Sequence, residues 1–128
     1  MNITKTTTVG ASPEAVWAVI GDFGALVDWH PWVPNCTMGE DGKTRTIALS
    51  PLDAIEVLTR TEDFAQHYTV AQSPMAIADY SASLRVESEG EGSRITWTAD
   101  FRPLDETAAG AVGAFFAKGL SSLDKHFR

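Results

Sequence analysis

The strongest constraint on the fold of this sequence is a change of hydrophobic period at Pro103. Before that residue, apolar and polar side chains alternate along two successive segments, as they do in strands with one covered and one wet face. The sequence therefore predicts two strands that each contribute one face to the core. Their apolar positions are Tyr80, Ala82, Leu84 and Val86, followed by Ile95, Trp97, Ala99 and Phe101.

After Pro103 the apolar residues recur every three or four positions, which is the spacing of an amphipathic helix. Asp105 and Glu106 stand where this helix would begin, and Lys125 and His126 stand where it would end. Each charge complements the helix dipole, so we predict a long C-terminal helix. Its apolar positions are Ala108, Val112, Phe115, Phe116, Leu120, Leu123 and Phe127.

The N-terminal region combines a strand with two short helices. The Thr-rich segment before Ser12 has a composition suited to a half-buried strand, which stops at Gly10. In the string SPEAVW, Ser12 can cap a helix whose first residue is Pro13. The range from Asp22 to Pro34 is then expected to hold a short second helix and a loop, because its Gly and Pro residues prevent a longer one.

The segment from the second helix to Pro103 carries turn signals typical of an antiparallel meander. They predict about five strands after the first, and a sheet of about six to seven strands. No repeat or linker divides the chain, so we expect residues 1–128 to form a single α+β domain. The turn signals are Glu40 to Gly42, Ser50 to Asp53, Glu62 with Asp63, Ser73 with Pro74, and Glu89 to Gly92.

Composition disfavours several kinds of partner. The net charge of -7 opposes binding to nucleic acid, and the single Cys36 allows neither an internal disulfide nor a multi-cysteine metal site. Neither a secretory signal nor an apolar run long enough to span a membrane is present, so we expect a cytoplasmic protein. We predict no metal and no cofactor, because His30, His67 and His126 are scattered and no nucleotide-binding or hydrolase motif occurs.

Several strings fit one known arrangement: SPEAVWAVIGDF, WHPWVP, DYSASLRV, RITWTADFRP and the terminal GLSSL. Together with the order of elements, they make the chain resemble the START-like (SRPBCC) superfamily of Bet v 1-like, helix-grip proteins, in its polyketide cyclase and dehydrase branch. The resemblance covers essentially the whole chain. It implies a curved antiparallel sheet around the C-terminal helix, with a ligand-sized cavity between them. None of the strings is a catalytic signature.

A distant branch, the plant abscisic-acid receptors, implies particular ligand-binding positions. His30 resembles the basic residue that those receptors offer to the ligand carboxylate, and Arg45 and Glu56 resemble an Arg and a Glu on the next two cavity strands. The connection between Arg45 and Glu56 is shorter than the receptors' gating loop and lacks its Ser-Gly-Leu-Pro pattern, which argues against a hormone receptor. The other matched positions, on a cavity strand and on the terminal helix, are Tyr80, Ala82, Ala111, Phe115 and Gly119.

Aromatic residues add further candidates. Trp29, His30 and Trp32 could form the mouth of an apolar pocket with one polar handle, and the tryptophans could equally pack the short helices onto the sheet. Tyr68 and Trp97, together with Tyr80, would line or floor the cavity, although core packing explains these residues equally well.

Glu56 lies in the apolar segment AIEVL and is the most ambiguous candidate. A carboxylate that faces a cavity needs Arg45, His30 or a ligand to offset its desolvation. Glu56 is therefore a ligand anchor or acid–base group, a strand-edge residue that faces water, or a structural partner of Arg45 or Arg60.

Three functions remain open. We favour a noncatalytic carrier or sensor that encloses a small amphipathic or hydrophobic molecule, such as a lipid or polyketide, with His30, Arg45, Glu56 and Tyr80 at its polar end. The alternative is a cyclase or dehydratase in which His30, Glu56 or Tyr80 transfers a proton, an assignment that rests on analogy. The second alternative is an interaction module or homodimer.

Overall fold

The computed structural model describes residues 1–128 and contains seven strands and three α-helices. The strands are β1 (Asn2–Val9), β2 (Cys36–Met38), β3 (Thr44–Ile47), β4 (Ala54–Glu62), β5 (Ala65–Gln72), β6 (Ile77–Glu89) and β7 (Gly92–Pro103). The helices are α1 (Pro13–Ile20), α2 (Leu26–Trp29) and α3 (Ala108–His126), and a short 3-10 turn, Phe23–Ala25, precedes α2.

All seven strands belong to one antiparallel sheet with the order β1-β7-β6-β5-β4-β3-β2. Strands β2 to β7 form a meander, and β1 pairs with β7 along its whole length, from Asn2 opposite Asp100 to Val9 opposite Ser93. Register shifts interrupt the β4–β5 and β6–β7 pairings, and such irregularities bend a sheet. Because β1 and β2 are the two edges, the connection that holds α1 and α2 must cross from one edge to the other.

The predicted sheet of about six to seven strands is confirmed, with six strands after the first where the turn signals indicated about five. The five signals lie between consecutive strands, so they separate six segments rather than five. The additional strand is β2, whose three residues pair with β3. A strand that short leaves almost no alternation in the sequence to detect.

Helix α1 begins as its sequence predicts. The Ser12 hydroxyl oxygen accepts a hydrogen bond from the Ala15 backbone N–H at 3.2 Å, and Pro13 is the first helical residue. This cap satisfies one of the free N–H groups of the first turn. The helix ends at Gly21, whose N–H donates to the Trp17 carbonyl oxygen.

The core lies between the inner face of the sheet and α3. Every apolar position predicted on β6 and β7 is buried, so the predicted alternation is confirmed. On α3, Phe116 stacks on Trp97 of β7 with ring centroids 4.4 Å apart. Five of the seven predicted apolar positions of α3 are buried, whereas Phe115 and Phe127 are half-buried.

Candidate functional site

A small cavity lies between the inner face of the sheet and α3. Its walls come from β3 to β6, from the connections after β3 and β5, and from α3. Eleven of its 13 lining residues are hydrophobic, so a bound molecule would meet a mainly apolar surface. Glu56 is the only charged residue in the lining.

The cavity has a buried floor and a half-buried rim. Apolar parts of the floor are Ile47, Ala54, Val112 and Phe116, all of them buried. The rim consists of the half-buried residues of the lining. The rim residues are Leu49, Val70, Ser73, Met75, Ile77 and Phe115.

The volume of the cavity is about 30 Å³. A single water molecule needs about 10–15 Å³ by this measure, whereas the pockets that hold small organic ligands measure about 300–1,000 Å³. The structure is therefore closed to an organic molecule, which would have to displace side chains of the rim. Met75 is suited to such movement, because its unbranched side chain has three rotatable bonds.

A buried ion pair joins Glu56, which lines the cavity, to Arg45, which lies outside the lining. The register of β3 and β4 places the two residues directly opposite each other. Arg45 Nε donates to Glu56 Oε1 at 2.8 Å, and Arg45 Nη2 lies 2.6 Å from the same oxygen. Arg45 Nη1 donates to the Phe23 carbonyl oxygen at 2.9 Å, and the guanidinium carbon lies 3.8 Å from the centroid of the Phe23 ring. Each nitrogen of this guanidinium thus has a partner within the chain.

The second carboxylate oxygen of Glu56, Oε2, differs from Oε1 in its hydrogen bonding. Both contacts from Arg45 go to Oε1, and Oε2 makes no hydrogen bond in the chain. Glu56 lines the cavity, and its side chain keeps 12% of its surface exposed, compared with 3% for Arg45. Oε2 is therefore a free acceptor beside the cavity. The other sequence-based candidate for a partner of Glu56, Arg60, pairs instead with Glu62 on the exposed surface.

Two phenol groups accompany Glu56 in the lining. Tyr68 Oη accepts a hydrogen bond from Trp97 Nε1 at 2.9 Å, and the Tyr80 ring centroid lies 6.3 Å from that of Tyr68. Burial raises the pKa of both tyrosines, and the charge of Glu56 raises it further. Both hydroxyl groups are therefore protonated at neutral pH and able to donate a hydrogen bond.

His30 fixes the end of α2 against α3 instead of lining the cavity. Its Nε2 lies 2.7 Å from the Phe115 carbonyl oxygen, and its Nδ1 accepts from the Trp32 backbone N–H at 3.1 Å. These partners require the neutral tautomer with the proton on Nε2. Burial lowers the pKa of His30 to about 4, so the ring stays uncharged at neutral pH.

An aromatic cluster surrounds His30 and approaches α3 at a glycine. The His30 ring stacks on Phe115 with centroids 4.0 Å apart, and the Trp29 and Trp97 rings are 5.4 Å apart. A Cβ atom on Gly119 would lie 2.7 Å from His30, 2.9 Å from Trp97 and 3.0 Å from Trp29. Because Gly119 has no side chain, α3 can approach these rings closely. Trp29 Nε1 is buried without a hydrogen-bond partner.

The predicted ligand-binding residues divide into two groups in the structure. Glu56, Tyr68, Tyr80 and Phe115 line the cavity. The others lie outside its lining: Trp29, His30, Trp97 and Gly119 in the aromatic cluster, Arg45 in the ion pair, Ala82 opposite Tyr68 in the sheet, Ala111 half-buried on α3, and Trp32 exposed over 48% of its surface.

Other lining residues were not predicted as binding residues, although part of the signal was in the sequence. On β4 and β5 the period of two places Ala54 on the face of Glu56 and Val70 on the face of Tyr68. Val112 and Phe116 were assigned to the core face of α3, and they serve both the core and the cavity. Ser73 and Met75 lie in a connection, where no periodicity identifies an inward side chain.

No group of three or more His, Cys, Asp or Glu side chains is arranged to hold a metal ion. No helix is both long enough and apolar enough to cross a membrane.

A family model described as polyketide cyclase / dehydrase and lipid transport matches residues 1–128. The chain belongs to this family. The resemblance derived from the sequence is therefore confirmed. No curated protein matches the chain by sequence.

Solved structures show the same fold in other chains. XoxI from Bacillus cereus is 28% identical over 98% of this chain and 94% of that chain, with a TM-score of 0.92. The Aha1 dimer from Colwellia psychrerythraea is 17% identical over 99% and 96%, with a TM-score of 0.80. A START superfamily protein from Mycobacterium smegmatis is 16% identical over 97% and 92%, with a TM-score of 0.70. The predicted helix-grip fold is therefore confirmed.

Proposed function

We propose that residues 1–128 act as one ligand-binding domain that encloses a small, mainly apolar molecule between the sheet and α3, as a carrier or sensor. The observation that carries the proposal is the cavity lining, in which 11 of 13 residues are hydrophobic and Glu56 is the only charge. Such a site favours an apolar body with one polar group. The family description, which includes lipid transport, supports the same conclusion.

The cavity is closed and must open before a ligand can bind. A volume of about 30 Å³ means that ligand entry has to separate the rim residues of the sheet side, such as Met75, from Phe115 on α3. Both residues are half-buried, so their displacement exposes less new apolar surface than displacement of the floor would. The cost of opening is then offset by burial of the ligand.

Calorimetric titration with a panel of lipids and aromatic polyketides tests this proposal. We expect at least one member to bind the wild-type protein, and Ala54→Leu to weaken that ligand about tenfold or more, because the new side chain occupies the floor. Ala71→Leu is the matched control, since it makes the same change on an exposed position of β5. Overpacking in the first variant costs about 1–3 kcal/mol, so a thermal melt must show that it remains folded.

Two results would refute the carrier or sensor proposal. One is the absence of binding to any member of the panel. The other is equal affinity of the ligand for a folded Ala54→Leu variant and for the Ala71→Leu control, because the ligand would then occupy another site.

A catalytic role is the alternative, and one observation supports it. Glu56 Oε2 is an unpaired carboxylate oxygen beside the cavity, where it could accept a proton from a bound substrate while Tyr80 donates one. The earlier third candidate, His30, has both ring nitrogens engaged outside the cavity. Turnover of a polyketide that survives in the Glu56→Gln and Tyr80→Phe variants would exclude this mechanism.

A dimer is the second alternative. The solved structure from Colwellia psychrerythraea is a dimer of the same fold. A sedimentation-velocity experiment that shows a single monomeric species at high concentration would count against a dimer.

The cytoplasmic location predicted from the sequence stays a prediction.

A further inference from the structure

We infer that the polar group of the ligand is an uncharged hydrogen-bond donor, such as a hydroxyl group, and not a carboxylate. This inference rests on the proposed function and specifies the class of ligand. It also departs from the ligand that the abscisic-acid receptors suggest, in which a basic residue meets a carboxylate.

No cationic group is available to an anion inside the cavity. Arg45 is 2% exposed and lies outside the lining, and each of its nitrogens already contacts Glu56 or the Phe23 carbonyl group. Aromatic rings cover its guanidinium group as well, since its central carbon lies 3.8 Å from the centroid of Phe23 and 4.9 Å from that of Tyr68. To reach a ligand, Arg45 would have to abandon Glu56 in a buried site, which is strongly unfavourable.

His30 does not supply the missing positive charge either. Its ring is neutral, because Nε2 donates to the Phe115 carbonyl oxygen and Nδ1 accepts from the Trp32 N–H. Like Arg45, it lies outside the lining. A carboxylate placed in this cavity would therefore lose its hydration without gaining a cation, and it would approach Glu56 as a like charge.

The charged group in the lining offers a free acceptor, Glu56 Oε2, and the same lining holds the hydroxyl groups of Tyr68 and Tyr80. A ligand hydroxyl group can donate to Oε2 and also accept from a phenol, whereas an acceptor-only group leaves Oε2 unpaired. Glu56 Oε2 has no hydrogen-bond partner, and the Arg45–Glu56 pair as a whole is electrically neutral. A neutral donor completes the hydrogen bonding of this oxygen without adding charge to the site. An ammonium group would also reach Oε2, but it would bring an additional positive charge close to the Arg45 guanidinium.

A matched set of straight-chain probes tests the inference on the wild-type protein by calorimetric titration. The set is decanol, methyl nonanoate, decanoate and decylamine, used below their aggregation concentrations. Decanol carries a neutral donor, the ester only acceptors, decanoate a negative charge and decylamine a positive charge. We expect decanol to bind about tenfold or more tightly than each of the other three.

The outcomes separate the inference from the function on which it rests. If the ester, decanoate or decylamine binds as tightly as decanol, the inference is wrong while the cavity remains a binding site. If none of these probes, and no member of the broader lipid and polyketide panel, binds, the proposed function itself fails.

A charge-changing variant supplies an independent check. Glu56→Gln removes the negative charge and leaves Arg45 as an uncompensated cation, so we expect the preference to shift from decanol towards decanoate by about tenfold or more. Glu87→Gln makes the same change on the exposed face of β6 and should leave the preference as it is in the wild type. An unchanged preference in a folded Glu56→Gln protein would overturn the inference. If that variant does not fold, the result with the wild-type probes decides alone.

Discussion

Three glycines in α3 offer a direct test of how closely this helix approaches the aromatic cluster. Replacing a helical glycine with alanine normally stabilises a protein by up to about 1 kcal/mol, because the unfolded chain loses freedom. At Gly110 no atom lies within 4 Å of the position that a new Cβ would take, so this gain should be realised. At Gly113 the nearest atom is at 3.5 Å, an ordinary contact.

At Gly119 the same substitution meets three rings. The new Cβ would lie 2.7 Å from His30 Cδ2 and within 3.0 Å of Trp97 and Trp29. These rings are buried and packed on one another, so none of them can turn away without disturbing the next. Overpacking of this kind costs about 1–3 kcal/mol.

The comparison of Gly119→Ala with Gly110→Ala isolates the steric effect, because the gain in helix propensity is common to both variants. We expect Gly119→Ala to be about 1–3 kcal/mol less stable than Gly110→Ala, with the larger value favoured by the rigidity of the rings. Urea unfolding followed by circular dichroism measures both free energies of unfolding. A Gly119→Ala protein as stable as Gly110→Ala would show that α3 does not approach the rings as described.

Further predictions concern the buried polar groups. In the unfolded chain His30 binds a proton below about pH 6.5, whereas in the folded chain its pKa is lowered to about 4 and the ring stays neutral over that range. His30 should therefore cost the wild type up to about 3 kcal/mol of stability as the pH falls from 6.5 to 4. The loss should be absent in His30→Gln, so the difference in free energy of unfolding between wild type and variant should change by that amount between the two pH values in urea titrations. The same pH dependence in both proteins would contradict it. Arg45→Met should lower the free energy of unfolding by about 3–5 kcal/mol, because Glu56 is left as an unpaired buried charge. Adding Glu56→Met should recover much of this loss in a double-mutant cycle. Losses that simply add would contradict the pairing. Tyr68→Phe should lower the free energy of unfolding by about 1–3 kcal/mol, since Trp97 Nε1 loses its acceptor, whereas an unchanged value would argue against that hydrogen bond.

The backbone architecture could be predicted from the sequence because it depends on local signals. The Ser12 cap, the alternation on β6 and β7, and the helical period after Pro103 each require only neighbouring residues. The apolar faces of these elements have to be buried, and a helix laid on an antiparallel sheet is the arrangement that their order allows. The seven strands of the sheet lie within the predicted six to seven, and β2 is the strand with the weakest signal, because three residues are too few to show a period. The terminal helix begins at Ala108, after the predicted Asp105 and Glu106.

The site depended on tertiary structure because its residues meet across the sheet. The register of β3 and β4 decided that Arg45 pairs with Glu56, and with the Phe23 carbonyl group this pairing engages every nitrogen of the Arg45 guanidinium. The packing of α3 decided that His30 binds the Phe115 carbonyl group as a neutral ring, away from the cavity. The sequence identified these polar residues as candidates for the site. Only the folded chain determined which of their atoms are satisfied internally and which one, Glu56 Oε2, remains free.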